Sequence, residues 1–144
     1  MSELNNPIAE ARRYVANAKT ILKEKAIKDG NYYTDSKYIK IAGHTLWSGC
    51  LVALTFALQI KPKKNQRLNI KDYQEVAAKR NQKLLVMLNS GYEAMHLYMG
   101  YDGNKSYNIS QGGLKTANDI IDWCEANAPK PIEDAKTKAN ARKK

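Results

Sequence analysis

Three side chains stand out for moving protons or clamping an anion near neutral pH because they fall within apolar helical patterns: His44, Arg80 and His96. An imidazole titrates close to neutrality and suits general acid–base work. A guanidinium stays charged and holds anions in a fixed fork. Arg80 falls on an apolar helical stripe between Ala77 and Leu84. Such a charge must snorkel to water, pair with Glu75, Asp72 or Asp35, or face an anion in a cleft between helices. His44 shares a helix face with Trp47 and Leu51, and His96 shares one with Tyr92 and Met99. Each histidine alone reads more often as a satisfied core residue than as a catalyst. Together with Arg80 and Tyr101 they define one candidate cleft.

Other chemistries are not encoded. HExxH, CxxC, GxSxG and paired-carboxylate signatures are absent from the sequence. Cys50 and Cys124 lie far apart in apolar helical patterns and read as buried thiols; with two histidines they make too few ligands for a metal site, so no metal is expected. Gln111-Gly112-Gly113 offers backbone N–H groups near a helix start, but without a Walker lysine or a preceding strand it is no phosphate loop. No cofactor is expected.

The tyrosines stand out. There are nine against one phenylalanine, and Tyr32, Tyr33, Tyr98, Tyr101 and Tyr107 fall at helix ends and loops. A ring that buries while its hydroxyl stays wet suits a cleft rim. Tyr32 and Tyr33 are therefore expected to share a surface with the 98–107 loop.

The net charge of +10 is localised. Residues 130–144 contribute +4 and the run 61–67, KPKKNQR, another +4, leaving +2 for the body. Lys61, Lys63, Lys64 and Arg67 thus form a candidate contact for nucleotide or nucleic acid, although solvated, solubilising charge is the more ordinary reading of such a run.

Positioning these groups falls to helices. Asn6 caps and Pro7 opens the first, whose stripe is Ile8, Ala11, Val15, Ala18 and Leu22; Arg12, Arg13, Lys19 and Lys23 lie off it. That helix fades near Lys25 to Lys28, before the turn signal Asp29-Gly30. The central helix, Asp35 to Gln59, is capped by Thr34 or Asp35 and has two apolar faces, so it needs partners on both sides. Gly43 and Gly49 inside it point to close helix approach. Its most apolar stretch, Ile41 to Ile60, carries His44, Thr45, Ser48, Gly49, Thr55 and Gln59, which favours a bundle helix over a membrane span. Asn69 caps a third helix running to about Asn89; Ser90-Gly91 interrupts it before a shorter fourth. Asn108 or Ser110 caps the last, which ends before Pro129. No stretch alternates in the manner of strands. The expected fold is all-α, an up-and-down bundle of four to five helices over residues 1–129, with a disordered basic tail at 130–144. The N-terminus lacks the pattern of a secretory signal, which points to the cytoplasm.

Three segments carry a resemblance: ARRYVANAKTIL, then YYTDSKYIKIAGHTLWSGCLVAL, then RNQKLLVMLNSGYEAMHLYMGYDG. Together they resemble small, uncharacterised bacterial helical proteins similar in outline to the HEPN superfamily. The resemblance implies a helical bundle that is often dimeric and that works on or near RNA or nucleotides. The ribonuclease branch of that superfamily has an arginine, a polar residue and then a histidine four to six residues on. Arg80-Asn81 matches the start, but Leu85, Val86 and Met87 fill the histidine window and the next histidine is His96. The resemblance therefore implies a non-enzymatic binding module, a homodimer acting through protein, nucleotide or nucleic acid. The alternative is a metal-independent RNase using Arg80 with His44 and His96.

Overall fold

The computed structural model describes residues 6–62 and 64–129; the expected tail at 130–144 lies outside them. Asn6 accepts from the N–H groups of Ile8 and Ala9 and starts α1, Pro7–Ile21. This helix widens into a short π-helical turn, π1, Leu22–Ala26. The chain then makes a two-stranded hairpin, β1 (Lys28–Asp29) and β2 (Tyr32–Tyr33), with Lys28 opposite Tyr33. Strands of two residues leave no period-two signal in the sequence, which is why none was legible. Asp35 caps the central helix α2, Ser36–Ala57.

The stretch expected as one helix to Asn89 is two. In α3, Ile70–Arg80, Asn69 and Asp72 form a reciprocal capping box. Asn81 then turns extended, closes α3 through its N–H to Ala77, and caps α4, Gln82–Gly91, through its side chain. Conversely, Gly91 does not break the chain. The helix continues through it into π2, Tyr92–Tyr101. Gly91 is there for room: an added Cβ would meet the Met95 methyl at 2.7 Å and Ile120 at 3.1 Å. Ser106, not Asn108 or Ser110, caps α5, Tyr107–Ala126.

Among the described residues the fold is all-α apart from the small hairpin. Helix α2 packs against α1, π2 and α5, α5 also packs against α1, α4 and π2, and α3 lies alongside α4. Arg12 of α1 grips α5 through Asp122 at 2.7 Å and Glu125 at 3.3 Å. The two faces of α2 are both used, as expected. Gly49 lets it approach Ala11 and Tyr14 of α1, and Gly43 lets it approach Gly100, Met95 and Met99 of π2. The core fills with Ile39, Leu46, Leu54, Leu84, Leu88, Met95, Met99, Ile120 and Ile121, all fully buried. By length and composition α2 could cross a membrane, but half of its apolar window is buried inside the bundle.

Candidate functional site

The sequence-derived residues divide between two places. His44 and His96 do lie side by side on the seam between α2 and π2, ring centroids 5.7 Å apart and edge-on. His96 stacks on Tyr92 at 5.0 Å and lies 6.3 Å from Trp47. Burial, and then the neighbouring His44, hold the His96 pKa below its usual value. Its Nδ1 is buried without a hydrogen-bond partner, whereas His44 is exposed and rests over Gly100.

Arg80 is elsewhere. It is exposed at the last position of α3, and its guanidinium lies 5.9 Å over the Trp123 ring of α5. No ion pair joins it to Glu75, Asp72 or Asp35 among the described residues. The apolar stripe that seemed to contain it stops at Ala77, because the helix itself stops at Arg80. Tyr101 closes π2 and is 72% exposed. Among the described residues no group of three or more metal-ligating side chains forms. Lys61, Lys64 and Arg67 are exposed on the connection from α2 to α3, and Lys63 falls outside the described residues.

The tyrosine pattern leads to a second place. The hairpin binds the loop before α5: the Tyr33 N–H donates to the Lys105 carbonyl at 2.8 Å, and the Tyr107 N–H donates to the Asn31 carbonyl at 3.0 Å. Tyr32 also bridges to Ser106. These bonds set the Tyr33 and Tyr107 rings 5.9 Å apart, tilted by 47°. Tyr33 is 5% exposed. Burial chiefly raises its hydroxyl pKa, with Tyr107 adding to the shift and the Gln111 amide opposing it.

Around this pair a cavity of about 340 Å3 opens between the end of α1, the hairpin and the start of α5. Lys19, Leu22, Lys23 and Lys28 line it from one side, Gln111 and Leu114 from the other. The three lysines are exposed, and none is in an ion pair among the described residues. Lys28 arrives there through a strained turn. Ile27 sits at φ +53°, left-handed backbone that a β-branched residue rarely accepts, and the next residue carries its Nζ to 4.1 Å over the Tyr107 ring. An anion entering this cavity meets three ammonium groups and no carboxylate in its lining.

Sequence reasoning pointed to the tyrosines but missed the lysines and the Gln111 side chain. Lys19 and Lys23, one helical turn apart and off the apolar stripe, look like solvated surface until the hairpin folds Lys28 back beside them.

Among known proteins, the chain is similar over 88% of its length to a solved protein of unknown function from Dyadobacter fermentans. The two share 39% identity, 98% of that protein is covered, and the TM-score is 0.80. No curated protein matches. A family model described as a domain of unknown function (DUF5618) matches residues 6–126, and the chain belongs to that family.

Proposed function

We propose that this chain is a non-enzymatic, HEPN-like binding module that holds a phosphate-bearing ligand, of nucleotide or nucleic-acid type, in the Lys19/Lys23/Lys28 cavity. Three uncompensated lysines converging beside two tyrosines carry this reading. A cluster of like charges is costly to the free protein and is relieved by an anion. A homodimer in the cytoplasm belongs to the same proposal; the buried free thiols Cys50 and Cys124 suit a reducing compartment.

The test is calorimetry with pyrophosphate on the wild type and on the Lys19→Ala/Lys23→Ala/Lys28→Ala triple variant. Binding that weakens with salt and vanishes in the triple variant is expected. No binding, or equal binding by both proteins, refutes the proposal. If Lys61→Ala/Lys64→Ala/Arg67→Ala abolishes binding instead, the anion site belongs to the α2–α3 connection. Light scattering reads the oligomeric state in the same samples.

The adjacent His44 and His96 favour a second reading, RNA cleavage by paired imidazoles. It requires activity that disappears in both His44→Ala and His96→Ala. With Arg80 against Trp123, that pair would act without the arginine.

A further inference from the structure

Resting on the anion-binding reading above, we infer that the ligand is a small organic phosphomonoester with one flat or apolar group, not a free inorganic anion and not a nucleic-acid polymer. The cavity changes character from rim to floor. At the rim stand Lys19, Lys23 and Lys28, all exposed. Lysine is a flexible point charge, and three of them match a tetrahedral dianion better than a planar monoanionic carboxylate, which arginine forks hold. The floor is different. Leu22 is 2% and Leu114 8% exposed, and the tilted Tyr33 and Tyr107 rings form the walls above them.

An inorganic anion, strongly hydrated, gains nothing from leucine methyls or phenol faces. A ring or short apolar group attached to the phosphate does, because burying it removes apolar surface from water and offers edge or face contacts to the tyrosines. Gln111 supplies one amide that can fix the orientation of that group. The volume of about 340 Å3 is at the small end for ligand sites, enough for one ring and a phosphate. A polymer would instead need a basic track with successive stacking platforms. The lysines here converge on one cavity, and Lys61, Lys64 and Arg67 follow the far end of α2, at the other end of the bundle.

The experiment compares phenyl phosphate, inorganic phosphate, phenol and an oligonucleotide lacking terminal phosphates, by calorimetry on the full chain. Phenyl phosphate is expected to bind at least tenfold tighter than inorganic phosphate, with phenol and the oligonucleotide failing to compete. Lys23→Ala and Lys28→Ala, both at exposed positions, are each expected to weaken phenyl phosphate severalfold without changing thermal stability. Equal binding of phenyl phosphate and inorganic phosphate would leave an anion site but overturn the organic ligand. Displacement by the oligonucleotide would overturn the small-ligand assignment. If no anion binds at all, both this inference and the reading beneath it fail.

Discussion

Replacing Gly43 by alanine tests whether the packing of α2 against π2 is as close as described. A Cβ there would lie 2.6 Å from the Gly100 nitrogen, 2.6 Å from the Met95 oxygen and 2.6 Å from the Met99 Cβ. Comfortable contact between such atoms needs about 3.5 Å, so the two helices must separate by nearly 1 Å. Two of the three obstacles are backbone, which no rotamer change can move aside. Overpacking of this kind costs about 1–3 kcal/mol, and the backbone clash places it at the upper end. Alanine returns about 1 kcal/mol of helix propensity, leaving a net loss of about 2 kcal/mol. For a domain of this size the melting temperature should fall by about 6–8 °C. Gly112→Ala is the matched control, since it lies inside α5 and an added Cβ meets nothing within 4 Å. It should gain about 1 kcal/mol and melt a few degrees higher. Thermal unfolding followed by circular dichroism reads both variants. If Gly43→Ala is as stable as the wild type, the seam is looser than described and the reasoning is wrong.

Two further outcomes follow from titrating groups. His96 has its folded pKa depressed below 6.5, so folding favours the neutral imidazole. Its contribution to stability is complete above 6.5, is lost as the pH falls from there toward the depressed value, and is constant below it. Denaturant titrations across that window should show a pH slope that His96→Gln removes; an unchanged slope would discount the His44–His96 seam as its origin. Both thiols are buried, and burial pushes the Cys50 pKa far up and that of Cys124 to about 12. A thiol reagent at pH 8 should therefore leave the native protein unlabelled and modify two cysteines once it is denatured. Rapid native labelling would show that the core opens.

Much of the fold was legible because its signals are local. The caps Asn6, Asp35 and Asn69 and the apolar stripes follow from side-chain chemistry and the 3.6-residue period. The close approaches at Gly43 and Gly49 followed from the cost of glycine in a helix. What failed depended on distant partners. Gly91 resembles a breaker but answers to Met95 and Ile120, while Asn81, which carries no breaker signal in sequence, makes the actual break. Arg80 seemed to sit on an apolar stripe only while that helix was read as continuing past it. The histidine pair needed two helices in register, which no spacing reveals. For the cavity, the tyrosine bias pointed to the right region. The convergence of Lys19, Lys23 and Lys28 depends on one left-handed isoleucine, and periodicity carries no trace of that.

The joint at Asn81 also sets how the molecule opens. Helix α3 buries only Tyr73 and Ala77, whereas α2 buries ten residues and α5 seven. Its other ties are light: the Tyr73 hydroxyl with Thr55 at 2.9 Å, Gln74 with Asn89 at 2.9 Å, and Arg80 over Trp123. A segment with so little buried surface, bounded by an extended residue, forms its own low-stability unit. Its amides should exchange with deuterium through a local opening well before those of α2 or α5, which release theirs only on global unfolding. The bundle thus carries a detachable side panel, and proteolysis under native conditions should cut there first.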